Sequence, residues 1–273
     1  MRLRPLAALA AFSLAVAAQS APSERGEDEL ALPPGTPPAA MLRSCRAMLP
    51  GKPVKLSGRI VRRNRKGIPS KEFDYTLLMD RSRNPAGISV SVFPKGATNE
   101  ILSVRITRPD SGTAAIETRA PGRDPEHPDM AARVLGTDIT WLDLTLDFLW
   151  WNDVSMEAES GETVHGIECA VLVAKPDGPS AGAEAARIWV DRKTGSMMQA
   201  EQLAPDGNGG WKTLRRLWGT RLKNFTLSGA GPDGEPRTCW MASAIEVQQS
   251  GGIHRTKITI EKVDDSPSGA EAP

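Results

Sequence analysis

The sequence predicts a mostly β (α+β) protein with one antiparallel sheet of about ten or eleven strands and two or three helices. From Lys52 onward, apolar and polar residues alternate in runs of strand length. Gly, Pro, Asn and Asp separate these runs, and DRKTG (191–195) and APDGNGG (204–210) are typical of antiparallel hairpin turns. No repeat or change of composition divides residues 40 to 264, so a single domain is expected. A sheet of this size must curl or fold over.

The first 21 residues have the pattern of a cleavable secretory signal. Arg2 and Arg4 precede an uncharged run from Leu6 to Ala18, and small residues follow it. Because that run is too short to span a bilayer, we expect an exported, periplasmic protein. Residues 22–38 are charged and then proline-rich, which predicts a flexible lead-in.

The elements of the predicted domain, residues 39–264, follow in order. PAAMLRSCRAML has apolar residues at helical spacing before Pro50-Gly51, which predicts a helix over 40–49. Strands are predicted first at VKLSGRIVRR, EFDYTLLMD, GISVSVFP, EILSVRIT and TAAIETR. After a proline-rich loop at 119–130 they are predicted at VSMEAE, GIECAVLVAK, ARIWVD, SMMQAEQLA, GWKTLRRLW, TRLKNFTL, CWMASAIEVQQ and HRTKITIEKV. The polar residues 265–273 predict a disordered tail.

Charge and cysteine content limit the function classes. Lys and Arg number 34 against 33 Asp and Glu, so nothing points to nucleic acid or another polyanionic partner. Cys169 and Cys239 lie in strand-like runs and could form a disulfide, which would leave Cys45 unpaired. The alternative is that the cysteines are buried free thiols, which behave as small apolar residues.

No pattern of catalytic or metal-binding residues is found. The three histidines are far apart, and the sequence has no His-Glu-x-x-His, Cys-x-x-Cys or Gly-x-Ser-x-Gly. We therefore expect no metal, no cofactor and no enzymatic activity. Asp143 and Asp147 are an acidic pair at helical spacing, and a solvated polar stripe is favoured over general acid-base catalysis.

The stretch VLGTDITWLDLTLDFLWW, residues 134–151, is dense in apolar residues and fits two structures. As a strand, Leu142 to Phe148 alternate between apolar and polar. As a helix, Thr140, Asp143 and Asp147 form a narrow polar line between two apolar faces. A helix with two apolar flanks is expected where an element lies across the mouth of an apolar cavity.

Residues 136–144, GTDITWLDL, resemble the Gly-Ser/Thr-Asp-Phe-Ser-Tyr-x-Asp-Leu signature of the outer-membrane lipoprotein-sorting proteins, relatives of the periplasmic lipoprotein carrier LolA. Four later runs resemble the same family in order and spacing: GETVHGIECAVLVAKP, ARIWVDRKTG, MQAEQLAPDGNGGWKTLRRLW and CWMASAIEVQQSGGIHRTKITIEKV. The resemblance covers residues 40–263. The family's arginine-rich loop is reduced here to Arg119, Pro121, Arg123 and Arg133, and the motifs assign no residue to the arginine that lies inside the carrier's barrel.

The resemblance implies a sheet curled into an unclosed half-barrel, whose helices cover a cavity for acyl chains. It favours a helix from an Asp138 cap through about Leu146, while the strand alternative stays open for 142–148. The implied partner is a lipid or an acylated lipoprotein; the alternative is an envelope scaffold or sensor that acts through protein contacts. Candidate ligand-binding residues are Trp141, Leu144, Phe148, Trp150, Trp151 and Trp189.

Two groups of residues have alternative interpretations. The seven tryptophans could fill the core, line the lipid cavity or stack on sugars. The basic run Arg62-Arg63-Asn64-Arg65-Lys66 is typical of a solvated hairpin turn, and the alternative is transient contact with anionic lipid headgroups.

Overall fold

The computed structural model describes residues 32–47, 53–81, 84–109, 114–176, 183–227 and 237–265, without the side chains of 160, 222–227 and 237–241. The predicted signal, most of the lead-in and nearly all of the predicted tail lie outside these residues. The described part of the lead-in forms hydrogen bonds through its backbone. The Leu32 N–H donates to the Arg192 carbonyl at 2.8 Å, and the Gly35 N–H donates to Glu159 Oε1 at 2.9 Å.

The described chain forms twelve strands in one antiparallel sheet that is not closed into a barrel. The strands are β1 (Val54–Arg63), β2 (Pro69–Asp80), β3 (Ala86–Pro94), β4 (Leu102–Arg108), β5 (Ala115–Arg119), β6 (Asp153–Val164), β7 (Ile167–Lys175), β8 (Ala185–Asp191), β9 (Met197–Pro205), β10 (Trp211–Leu227), β11 (Arg237–Gln249) and β12 (Arg255–Asp264). Their hydrogen-bonded order is β5-β4-β3-β2-β1-β12-β11-β10-β9-β8-β7-β6. The curling into a half-barrel stays a prediction.

The count of about ten or eleven strands was too low. Each of the thirteen runs of strand length overlaps a strand, and twelve strands result because GWKTLRRLW and TRLKNFTL form the single strand β10, whose backbone stays extended through Gly219. The two α-helices are α1 (Pro38–Ala47) and α2 (Trp141–Thr145), and short 3₁₀ helices lie at Val134–Gly136 and Asp147–Trp150. The first helix therefore begins two residues before the predicted 40–49.

The chain groups into two compact units. One contains β1 to β5, α2, β12 and the end of β11; the other contains α1, β6 to β10 and the beginning of β11. The single domain over 39–264 stays a prediction.

The core of the first unit comes from alternate residues of its strands. The row Leu56, Leu77, Val90 and Val104 runs across β1 to β4 in register, and each of these side chains is buried. At Gly58 the register between β1 and β12 shifts, and the Tyr75 hydroxyl donates to the Thr259 carbonyl at 3.1 Å. A Cβ atom at Gly58 would lie 1.8 Å from that carbonyl oxygen, so the close approach of the two strands requires glycine.

Two strands of the second unit, β7 and β8, are buried along most of their length. Residues 169–174 of β7 are all buried, on both sides of the strand, and β8 is buried at six of its seven positions. One cluster of its core contains Val164, Cys169, Val171, Trp189 and Met198.

Candidate functional site

Residues 134–147 of the first unit, the capped segment, connect a tight loop to α2. The Val134 N–H donates to the Ile139 carbonyl at 2.8 Å, and the Thr137 N–H donates to the Val134 carbonyl at 2.8 Å. Between them, Leu135 and Gly136 have φ values of 51° and 61°. The loop is therefore closed by its own backbone, with a non-glycine residue in the left-handed region.

Asp138 fixes the loop to β12 and β1. Its backbone N–H donates to Thr256 Oγ1 at 2.9 Å, and that hydroxyl donates in turn to Asp138 Oδ2 at 2.9 Å. The Nε of Arg62 lies 3.5 Å from the same carboxylate. The prediction that Asp138 caps the helix is thus wrong, because its carboxylate is used in contacts with two strands.

Thr140 is the residue that caps α2. Its hydroxyl accepts from the Asp143 N–H at 3.4 Å, and the Asp143 carboxylate accepts from the Thr140 N–H at 2.7 Å, which is a capping box. The helix is only five residues long and ends at Leu146, whose φ is 51°. A helix is thus present within the predicted 138–146 and ends where expected, but it begins three residues later, and the alternative strand over 142–148 is wrong.

The solvated polar stripe is also wrong, since Asp143 and Asp147 are both buried. Asp143 is satisfied within the capping box. Asp147 forms an ion pair with Arg108 of β4, and the same guanidinium donates from Nη2 to the Thr145 carbonyl at 3.0 Å. Burial lowers the pKa of Arg108, while the negative charge of Asp147 raises it.

Sequence reasoning missed Arg108, although the sequence contains a signal for it. In LSVRITR the residues Leu102, Val104 and Ile106 alternate on the buried face of β4, and Arg108 continues that face. An arginine at a buried strand position requires an acidic or carbonyl partner. Arg108 thus contacts the end of α2 from the buried face of the sheet.

The six predicted ligand-binding residues are divided between the two units. Trp141 and Leu144 are buried in the capped segment, and Trp141 Nε1 has no hydrogen-bond partner among the described residues. In the second unit, Phe148 and Trp151 stack edge to face at 6.5 Å, and the Arg46 guanidinium lies 5.9 Å from the Trp150 ring. Trp189 instead lies in the β7–β9 core cluster. Contact of any of the six with a ligand stays a prediction.

Cys45 and Cys169 are buried free thiols. Burial raises the pKa of each to about 12, so both are protonated and unreactive at neutral pH. The predicted disulfide between Cys169 and Cys239 is therefore wrong, because the Cys169 thiol is free. The side chain of Cys239 lies outside the described residues.

Within the described ranges, no group of three or more His, Cys, Asp or Glu residues could bind a metal ion. No helix of this part of the chain is long and apolar enough to cross a membrane.

Solved structures share this architecture, whereas no protein-family model and no curated protein matches the sequence. An outer membrane lipoprotein-sorting protein domain from Vibrio parahaemolyticus is 12% identical with a TM-score of 0.68, over 85% of this chain and 94% of that one. A DUF1329 family protein from Desulfovibrio piger is 13% identical with a TM-score of 0.66, over the same shares. A LolA superfamily protein from Nitrosomonas europaea is 12% identical with a TM-score of 0.59, over 84% and 93%. The chain therefore has the fold of the LolA superfamily and of the outer-membrane lipoprotein-sorting proteins.

Proposed function

We propose that the protein is a non-catalytic periplasmic carrier or acceptor of a lipid or of a lipoprotein acyl chain, and that the capped segment moves to admit it. The observation that carries the proposal is the way this segment is fixed. Its apolar residues are buried, yet its one α-helix is only five residues long, and polar side chains of β1, β2, β4 and β12 hold its two ends.

The contacts of the capped segment are consistent with its opening as one unit. A five-residue helix is not stable alone, because helix nucleation is unfavourable and so few residues do not repay it. The closed position of the segment therefore depends on tertiary contacts. These are the packing of its buried apolar residues and polar contacts from Thr256, Arg62 and Lys71 at its beginning and from Arg108 at its end. Left-handed backbone at Leu135 and Leu146 lies near these two ends. Opening would break these polar contacts and expose the buried apolar residues, which a bound acyl chain would cover again.

The indole N–H of Trp141 favours a ligand with a polar end. A buried N–H without an acceptor costs about 1–3 kcal/mol, and Trp141 Nε1 is such a group within the described chain. A carbonyl or carboxylate oxygen at the head of an acyl chain would accept this hydrogen bond. The surrounding apolar residues would pack against the chain itself.

The proposal is tested by lipid content and lipid uptake. We expect lipid extracted from the purified protein to be detected by mass spectrometry, and the delipidated protein to bind a fluorescent fatty acid. Trp141→Phe keeps the apolar ring and removes the N–H, so its affinity should be about fivefold to tenfold lower for the fatty acid and unchanged for the matching alkane. Absence of both lipid and uptake would reject the carrier and favour the envelope scaffold that acts through protein contacts.

Thr256→Val should speed the uptake of the fatty acid about fivefold. The substitution keeps the shape of the side chain and removes the hydroxyl that both accepts from and donates to Asp138. Losing about 1 kcal/mol from the closed state would raise the open population by that factor. The rate is measured by stopped-flow fluorescence.

Thr259→Val on the same strand is the matched control, because its hydroxyl donates to the Arg59 carbonyl at 3.3 Å and, among the described residues, makes no hydrogen bond to the capped segment. If both variants take up the fatty acid at the wild-type rate, opening of the capped segment does not limit uptake and its proposed movement is wrong.

A further inference from the structure

Exposed isoleucines lie at two turns of the first unit. Ile68 is in the turn between β1 and β2 and is 56% exposed, and Ile253 is in the turn between β11 and β12 and is 61% exposed. Among the described residues only Trp211 of the second unit is another large apolar side chain with comparable exposure. A single exposed apolar residue is common on a protein surface, so the two isoleucines are informative only if they lie close together.

The two turns are neighbours. In the pairing of β1 with β12, Arg63 is opposite Arg255 and Arg62 is opposite Thr256. Adjacent strands lie about 4.8 Å apart, so the residues that follow Arg63 and those that precede Arg255 leave the sheet side by side. We call residues 62–71 and 248–257 the paired-turn surface.

This surface is strongly basic. Its two sequence segments contain no Asp or Glu and seven Lys or Arg residues: Arg62, Arg63, Arg65, Lys66, Lys71, Arg255 and Lys257. The exposed Arg133 lies beside it, since its guanidinium donates to Gln249. Two carboxylates reach the surface from outside: Asp138 faces Arg62, and Glu246 faces Arg255 and Lys257. Both are buried, and the charge that remains is positive.

The first turn presents its isoleucine in an ordered loop. Asn64 Oδ1 accepts from the backbone N–H groups of Lys66 at 2.9 Å and Ile68 at 3.0 Å. The Asn64 N–H donates to the Ile68 carbonyl at 3.0 Å, and Arg63 Nη1 donates to the Gly67 carbonyl at 2.9 Å. The exposure of Ile68 is thus a property of a hydrogen-bonded turn, and Arg65 and Lys66 are exposed beside it.

We propose that the paired-turn surface docks on an anionic lipid bilayer, with Ile68 and Ile253 among the headgroups and the basic side chains at the phosphates. Isolated apolar residues surrounded by Lys and Arg suit the boundary between headgroups and acyl chains. A protein interface would instead need about 800 Å² from each partner, with aromatic anchors at its centre. Two narrow turns without Phe, Tyr or Trp favour the bilayer.

The experiment is flotation of the purified chain with vesicles of phosphatidylglycerol and phosphatidylethanolamine, compared with vesicles of phosphatidylcholine. We expect binding to the anionic vesicles alone, weakened by salt. Each basic residue near an anionic surface contributes about a fivefold gain in partition, so Arg65→Gln with Lys66→Gln should lose about 25-fold. Ile68→Ser with Ile253→Ser should lose about tenfold, because apolar contact with the bilayer disappears.

The matched control is Lys193→Gln with Lys212→Gln, which removes two exposed charges from the second unit and should leave partition within about twofold of wild type. All variants keep the same N-terminus, and their thermal unfolding is compared to confirm the fold. Absence of flotation with anionic vesicles overturns the proposal, as does an equal loss in the control. Loss in the charge variant with no change in the isoleucine variant also overturns it, because the chain would then be held at the vesicles by charge alone, without its isoleucines among the headgroups.

Discussion

Arg108→Met should lower the free energy of unfolding by about 3–5 kcal/mol. The substitution leaves the buried Asp147 carboxylate without its guanidinium partner and removes the donor to the Thr145 carbonyl. A buried charge that loses its partner keeps its full desolvation cost, which is why breaking such a pair is expensive. Urea unfolding followed by circular dichroism measures the effect as a lower midpoint.

Two further variants separate burial from charge. Arg59→Met removes the partner of Glu261 in a pair in which both side chains are nearly half exposed, so it should cost at most about 1 kcal/mol. Arg108→Met combined with Asp147→Leu replaces the whole buried pair by apolar groups and should recover most of the loss. A cost for Arg108→Met no larger than that for Arg59→Met would mean that water reaches the Arg108–Asp147 pair.

Gly58→Ala should cost about 3 kcal/mol, the upper end of the usual range for overpacking. The added methyl would lie 1.8 Å from the Thr259 carbonyl oxygen and 3.0 Å from the Tyr75 hydroxyl. The nearest atom belongs to the backbone of the paired strand, so no rotation of a side chain can relieve the clash. The strands β1 and β12 must separate locally, which also weakens the hydrogen bond from Tyr75.

Gly87→Ala in β3 is the control, since a Cβ atom there has no neighbour within 4 Å. It should be neutral or stabilise the protein by about 0.5 kcal/mol, because alanine loses less backbone entropy than glycine on folding. Thermal unfolding of both variants makes the comparison. Equal midpoints would show that β1 and β12 can move apart at no cost.

Alternation of apolar and polar residues was sufficient to predict most of the sheet. The run VKLSGRIVRR became β1 without change, because its pattern and its flanking turn residues agree. The predictions were wrong where one residue type suits two different structural roles. Gly219 marks a turn in many sequences, yet here it continues β10. Tertiary pairing with the neighbouring strands outweighs the local preference of a single residue.

The candidate site was harder to predict because its polar residues form hydrogen bonds and ion pairs with residues that are far away in the sequence. Asp138 and Thr140 are both good helix caps, and the choice between them depends on Thr256, which is 118 residues away and occupies the Asp138 carboxylate. The burial of Asp147 similarly depends on Arg108. Periodicity describes one element at a time, so it treated Asp143 and Asp147 as solvated.

The left-handed backbone at Leu135 and Leu146 has a consequence for how the sequence of this segment can vary. Glycine would remove a backbone cost of roughly 1–2 kcal/mol at each position, but it would also remove a buried side chain that contributes roughly 1.5–3 kcal/mol. The two amounts are close, so leucine is retained by a small margin. If the segment opens as proposed, substitutions at Leu135 and Leu146 would shift the balance between its closed and open states in small steps while every polar contact that fixes it is kept.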